Sequence, residues 1–408
     1  MSEAHAAAFD ADKEHTLSGR VREHRWLFVD GASAFGGHEV MLLRWLEELA
    51  AQGLVSPTLL ARAGSQLARE GQRYAAVLEL PKRGGGWLQR LVTSCRDALG
   101  MVRAALAVKP ELCIVAEGSL LTQPMFAPLG RLLGLRVIVY VPLVQSSTSM
   151  GFGRGRQRDA IVRGFYANVP HGWITITQEQ ARDFRHWAQV RRPIYTLPNT
   201  VSNAIENRRM HANDATANAS DTRLRVLVLG RIEAHQKGLD ALIDFALAHP
   251  QLGSRMQLRF VGDGPYAAHI RSQLASDALL ASWVVLAPWS TPIDAFGAHD
   301  VLLMSSRYEG VPLVMLEAMA LGVPVVAPDL EGTRAFLRGS ELFPRGDIAA
   351  AFRCLERLAD PELRRLVAQR NRATFESSAS NAAFTSAVKA LTEQLLQPGL
   401  AASRARSA

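Results

Sequence analysis

Cysteine is scarce in this chain of 408 residues: Cys95, Cys113 and Cys354 are the only three. They show no metal-ligand spacing and are too few for a disulfide framework, so a reducing cytosol is the expected compartment. Long apolar runs are missing too. No stretch approaches the roughly 18 residues needed to cross a bilayer, and the opening MSEAHAAAFDADKEHTLSGRVREHR lacks the apolar core of a secretory signal. Acidic charge is in deficit, with 38 Asp and Glu against 46 Lys and Arg, a formal net charge of +8. That balance favours anionic partners, a nucleotide or a phospholipid surface. The arginines are spread along the chain rather than blocked together, which argues against nucleic acid. No G-x-G-x-x-G fingerprint follows the first candidate strand, so a dinucleotide site is not indicated. The single Asp-x-Asp, Asp10-Ala11-Asp12, lies in the N-terminal tail away from any strand end, and nothing else calls for a metal or cofactor.

What is present is alternation. Candidate strands WLFVD (26–30), PTLLA (57–61), AVLEL (76–80), LCIVAEG (112–118), RVIVYVP (136–142), WITIT (173–177) and IYTLP (194–198) are separated by helical patterns. Residues 201–223, rich in Asn, Ala and Ser, interrupt the rhythm and read as a linker. It then restarts with LRVLVLG (224–230), QLRFVGDG (257–264), WVVLAP (283–288), DVLLMSS (300–306) and VPVVAP (323–328), apolar enough to be buried on both faces. The expected fold is α/β, two Rossmann-like domains facing a cleft. The expected layout is a disordered tail (1–23), an N-terminal domain (24–200), the linker, a C-terminal domain (224–378), and a last segment (379–408) whose helix packs back on the first domain.

The most specific stretch is MSSRYEGVPLVMLEAMALGVPVVA, which puts Glu309 in a turn and Glu317 within an apolar run. A carboxylate in such company needs a partner. Pro312 suits a helix start, so Gly310 and Val311 fall at a helix N-terminus on a strand's carboxyl end, where amide N–H groups favour an anion. Glu317 then lies about 7–8 Å along the axis, a span suited to the two ends of an extended ligand. Phosphate in the middle with hydroxyls at both ends describes a sugar nucleotide. Gly230 and Arg231 end one strand and Lys237 opens the next helix, supplying cations worth roughly 1.5–3 kcal/mol per charge-assisted bond. The bland readings are a solvated Glu pair, a capping Lys237, and Gly262 and Gly264 serving a tight turn.

The combination GRIEAHQKGLDALI, FVGDGP and SSRYEGVPLVMLEAMALGVPVVA resembles the donor-binding half of family-four glycosyltransferases, retaining enzymes of the GT-B fold, over most of residues 224–345. The resemblance implies that Arg231 and Lys237 hold the diphosphate of a UDP- or GDP-type sugar donor. It implies that Glu309 contacts the sugar hydroxyls and Glu317 the ribose, with Gly230, Gly262 and the backbone of Gly310, Val311, Pro312 and Leu313 bordering the ligand. Arg231, Lys237 and Glu309 are then the catalytic candidates. The activity implied is metal-independent hexosyl transfer to a saccharide or lipid-linked acceptor, in bacterial polysaccharide or glycolipid assembly at the inner face of the membrane. A sugar-nucleotide epimerase and a non-catalytic binding protein are the alternatives.

In the first half, Gly36, Gly37, His38 and Glu39 resemble the family's glycine loop for acceptor or phosphate; on local grounds they equally form a helix-entry turn. One departure stands out. Where many relatives carry a His after the fifth strand, this chain has Pro142 and Leu143. Glu117 and His235 are further cleft candidates, Glu117 alternatively a cap and His235, like His171, a structural or surface group. Leu88, Leu91, Val92, Cys95, Leu99 and Val102 form an apolar stripe expected to pack on the sheet, with Arg90, Arg96 and Arg103 elsewhere; the sharper reading is a patch against anionic lipid. Gly151–Arg158 reads as a mobile cationic loop facing the acceptor.

Overall fold

The computed structural model describes residues 24–82, 87–208 and 222–397. The two tails, Asp10 and Asp12, residues 209–221 of the linker, and the side chains of Leu88, Arg90 and Leu91 lie outside the described residues. Strands β1 (His24–Asp30), β2 (Val55–Arg62), β3 (Ala76–Leu80), β4 (Leu112–Ala116), β5 (Val137–Tyr140), β6 (Gly172–Thr175) and β7 (Ile194–Thr196) form one sheet in the order β3-β2-β1-β4-β5-β6-β7. β8 (Leu224–Leu229), β9 (Met256–Val261), β10 (Val284–Ala287), β11 (Val301–Leu303), β12 (Val325–Pro328) and β13 (Leu342–Phe343) form a second, ordered β10-β9-β8-β11-β12-β13. All pairings are parallel, with Phe28 opposite both Leu59 and Ile114, and Val226 opposite both Leu258 and Val301. Covered on both faces, β4, β5 and β6 have no exposed residue, which is why they read as unbroken apolar runs.

Eight helices matter for function: α1 (Gly37–Gln52), α2 (Trp87–Val108), α3 (Phe126–Leu132), α4 (Gly155–Gly164), α5 (Gln178–Ala188), α6 (Leu313–Leu321), α7 (Pro361–Ser378) and α8 (Asn381–Leu396). One side of the first sheet packs Met41, Leu42 and Trp45 of α1 with Phe384, Val388, Leu391 and Leu395 of α8. The spacing of those α8 residues puts them on one stripe. The last helix thus returns to the first sheet, and Thr200 Oγ donates to the Ala379 carbonyl at 2.8 Å where the two crossings meet. The opposite side of that sheet is covered by α2, α3, α4 and α5.

Helix α2 corrects the sequence reading. Its buried face is Thr93, Asp97, Met101, Ala104 and Ala105, while Val92 and Leu99 are 44% and 47% exposed and Cys95 is exposed too. The buried acid explains the inversion. Arg62 of β2 reaches in and binds both oxygens of Asp97, at 2.6 and 2.9 Å, so a polar residue sets which side of the helix faces the sheet. The segment 151–158 is also corrected: from Gly155 it is the first turn of α4, and Asp159 fastens the preceding turn by accepting from the Ser147 N–H at 2.7 Å and the Thr148 N–H at 3.1 Å.

Candidate active site

The carboxyl ends of β8 and β11 bring distant residues together. Lys237 Nζ donates to Glu309 Oε1 at 2.6 Å, and Ser306 Oγ donates to the same oxygen at 2.8 Å. Glu309 is buried and Lys237 partly so. The sequence reading had them facing separate ligand groups; they face each other, and the ammonium keeps two further N–H donors. Ser305 Oγ fixes the Lys237 backbone by donating to its carbonyl at 2.8 Å. Arg231 is exposed, donates to Gln236 Oε1 at 3.1 Å, and lies close enough to Tyr308 to act on its hydroxyl electrostatically.

Pro312 is the N-cap of α6 and has no N–H, so the unsatisfied amides of that helix start at Leu313, four residues after Glu309. The first domain grips this turn by its backbone. Gln145 donates to the Glu309 carbonyl at 3.3 Å and Asn199 to the Val311 carbonyl at 2.8 Å. Gly310 is wedged between the lobes: a Cβ there would sit 2.5 Å from the Pro142 oxygen, and a Cβ on Gly332 would sit 1.6 Å from the Gly310 oxygen. No side chain fits in either place. Gly262 has φ of +147°, and a Cβ would lie 1.9 Å from the Gly230 oxygen, so the tight-turn reading of its glycine holds whatever else it does.

Along α6 only Leu313, Val314 and Glu317 escape full burial, and they share one face. Leu313 on that face lies 3.6 Å from the Cβ position of Gly37, the first residue of α1. The face therefore points at the gap between lobes, with Glu317 one turn deeper. Two helix N-termini, one from each sheet, meet across this gap, and both favour negative charge. The Glu317 carboxylate has no hydrogen-bond or ion-pair partner among the described residues, and burial pushes its pKa up to about 7.

On the first domain the acidic end of β1, not noticed in the sequence, proves central. His38 Nε2 faces Asp30 at 3.1 Å and His38 Nδ1 faces Glu39 at 3.0 Å. Burial opposes charge on the ring, but the two carboxylates outweigh it and raise the pKa to about 10, so His38 is an imidazolium at neutral pH. Glu39, 2% exposed, also accepts from the Gly36 N–H at 2.8 Å. The loop thus uses His38 and Glu39 to close the entry to α1, and Gly36 and Gly37 are left as its exposed backbone. Among the described residues, Asp30, His38 and Glu39 are the one group of metal-ligand type side chains, with ligand atoms within 4.8 Å; the imidazolium already bridges them.

Glu117 is not a cleft residue. It is wholly buried, accepts from the Tyr166 hydroxyl and from the Leu121 and Thr122 N–H groups, and burial lifts its pKa to about 7. His235 sits at the rim, where its Nε2 donates to the Met150 carbonyl at 3.1 Å and its ring meets Phe152 and Tyr308 at centroid separations of 6.0 and 5.8 Å. His171 pairs with Arg131 at the opposite end of the strands.

Residues 223–360 match the family model described as Glycosyl transferases group 1. The lipopolysaccharide core biosynthesis glycosyltransferase LpsE of Rhizobium meliloti is 32% identical over 167 residues, 40% of this chain and 47% of that protein. The D-inositol 3-phosphate glycosyltransferase of Acidothermus cellulolyticus is 33% identical over 154 residues, 34% of either chain. The chain thus spans less than half the length of these curated relatives. Among solved structures, sucrose-phosphate synthase from Thermosynechococcus elongatus superposes with a TM-score of 0.75 at 18% identity, over 91% of this chain and 99% of that one. Anabaena HepE in complex with UDP-glucose gives 0.71 at 15% identity, over 91% and 99%. These neighbours share the fold: the chain is a two-domain GT-B protein, and residues 223–360 of its second domain are similar to the group 1 glycosyl transferases.

Proposed function

We propose that this protein moves a hexose-type sugar from a nucleotide diphosphate donor to an acceptor hydroxyl with retention at the anomeric carbon, without a metal. The observation that carries the reading is the Lys237–Glu309 pair at the start of α6, opposite the start of α1. A diphosphate in that gap meets two helix N-termini, the free N–H bonds of Lys237 and the exposed Arg231. Such preorganised charge is often the largest catalytic contribution where negative charge develops on a leaving group. Glu309 and Glu317 accept from hydroxyls, Glu309 at the sugar and Glu317 at the ribose. No protein nucleophile is assigned. The names of relatives such as the lipopolysaccharide core and amylovoran biosynthesis glycosyltransferases support an acceptor in polysaccharide or glycolipid assembly.

The test is incubation with radiolabelled UDP- and GDP-sugars and a mixture of saccharide and lipid-linked acceptors. Nucleotide release matched by label on an acceptor is the expected result. Epimerised sugar nucleotide without an acceptor, or tight binding with no turnover in any mixture, overturns the reading. An inverted anomeric configuration in the product overturns the stereochemical part alone.

A further inference from the structure

A second group of cations lies far from the gap, at the amino ends of β6 and β7. Arg163 and Gly164 at the end of α4, Asn168 before β6, and Gln189, Arg191 and Arg192 before β7 line a cavity of about 460 Å³. Asn168 organises its floor. The side-chain oxygen accepts the Arg191 N–H at 2.9 Å, the carbonyl accepts from Arg192 Nε at 3.1 Å, and the amide nitrogen donates to the Gln189 carbonyl at 3.4 Å. Gln189 turns the chain with a φ of +53°, the left-handed conformation that ends α5. The guanidiniums of Arg163 and Arg191 have no hydrogen-bond or ion-pair partner among the described residues. The acids are engaged elsewhere. Asp159, one turn before Arg163, is spent on the Ser147 and Thr148 N–H groups. Glu179 and Asp183 belong to the first half of α5 and act on Glu331 across the lobes. Glu111, just before β4, is held by His24 at 2.6 Å. The positive field also reaches sideways: burial, then the guanidiniums of Arg131, Arg192 and Arg136, keeps the His171 ring below its ordinary pKa.

We propose that this cavity binds the phosphoryl group of a small soluble phosphate ester. Its free side-chain groups are the three guanidiniums and the Gln189 amide, which offer many donors against a single acceptor, so the ligand has to be rich in acceptors. A guanidinium is flat and forked and matches the paired oxygens of a phosphate. Arginines scattered over a surface are simply solvated; here three converge on one cavity, and Asn168 fixes two of them. The lining holds no large apolar side chain, so nothing in it serves an acyl chain. The volume falls in the range of small-molecule sites and leaves room for the organic part of an ester. The cavity is on the first domain, at the opposite end of its strands from the gap, so a ligand there leaves the gap open. The inference therefore stands independently of the activity proposed above.

Titration calorimetry of the full-length protein with inorganic phosphate and with glucose 6-phosphate tests this, in about 0.15 M chloride so that the general field is screened. One-site binding of both is the expected result. Each charge-assisted bond is worth at least about tenfold, so Arg163→Gln with Arg191→Gln weakens both ligands on the order of a hundredfold. Arg163→Lys with Arg191→Lys keeps the charge but loses the fork, and weakens them about tenfold. Lys237→Met, which removes the ammonium of the gap, leaves both affinities unchanged. Arg163 and Arg191 are exposed, and an unchanged melting temperature excludes misfolding as the cause. The inference is overturned if either ligand fails to bind, if the lysine pair binds as tightly as the wild type, or if Lys237→Met rather than the glutamine pair abolishes binding. Flotation with phosphatidylglycerol vesicles that the glutamine pair abolishes, without binding of the soluble ligands, assigns the arginines to a lipid headgroup and overturns it as well.

Discussion

Glu317 offers a quantitative test of the donor site because its carboxyl titrates near neutrality. Burial raises its pKa to about 7, and no partner among the described residues pulls it down. Two ribose hydroxyls bond more strongly to the ionised carboxylate than to the protonated acid, so binding favours the ionised fraction, about one in eleven molecules at pH 6 and ten in eleven at pH 8. The apparent Kd for a sugar nucleotide therefore weakens by up to about tenfold from pH 8 to pH 6, and binding at pH 7 releases up to about half a proton. The assay is titration calorimetry with UDP-glucose in buffers of different ionisation enthalpy. An intact sugar nucleotide is required, since a terminal phosphate has its own pKa near 6. Glu117 and Glu331 are also pushed up to about 7 by burial, so the decisive comparison is Glu317→Gln. That variant keeps the shape, binds more weakly at pH 8, and loses the pH dependence. A wild-type Kd flat from pH 6 to 8, or an unchanged slope in the variant, refutes the assignment of Glu317 to the donor.

Lys237→Met removes the ammonium while Ser306 still holds Glu309, so turnover falls on the order of a hundredfold or more with the protein still folded; near-normal steady-state rates in sugar transfer argue against a role at the leaving group. Gly332→Ala drives a methyl into the Gly310 oxygen 1.6 Å away, and about 3 kcal/mol of stability is lost in urea unfolding by overpacking. A neutral outcome there contradicts the close approach of the two turns. The His38 pKa is raised from 6.5 to about 10. Its contribution is complete below pH 6.5 and lost as pH rises toward 10, so wild-type melting temperature drops across that window more steeply than that of His38→Gln. Arg62→Met strands the buried Asp97 at a cost of about 3–5 kcal/mol, and adding Asp97→Leu restores most of it; a double variant no better than the single one means the pair is not the determinant.

Much of the architecture was legible because buried parallel strands write themselves as apolar runs, and the strands of both sheets fall where those runs do. β13 escaped, since two residues carry no period. The Glu309-to-Glu317 segment was legible for a different reason: a strand end, a cap and a helix follow one another within a few residues. The misreading of α2 involves a partner far along the chain. Periodicity assigned the large residues of α2 to the core, and only the contact with Arg62 shows that Asp97 goes inside. Of the two readings of Glu117, cleft residue or cap, the structure has it accepting from the Leu121 and Thr122 N–H groups, and its hydroxyl partner Tyr166 comes 49 residues later. Asp30 and Ser306 were passed over although each lies close in sequence to its partner, at eight and three residues; an acid at a strand end followed by a Gly-Gly-His-Glu turn is a signal that reading could have used.

The pairing of Lys237 with Glu309 changes how an anion is attracted to this gap. Together the two side chains carry no net charge, so the long-range pull on a diphosphate comes from Arg231 and from the two helix starts, whose partial charges cannot be neutralised by rotating a side chain. A phosphate arriving there does not find an ammonium in bulk water. It finds one partly withdrawn from water beside Glu309, so a charge-assisted bond there strips that ammonium of less hydration. As the cation turns toward phosphate, Glu309 recovers a lone pair for a hydroxyl while Ser306 keeps the carboxylate in place. One exchange of partners thus fills both ends of the proposed ligand, and it requires Lys237 and Glu309 to lie within a single hydrogen bond of each other, as they do.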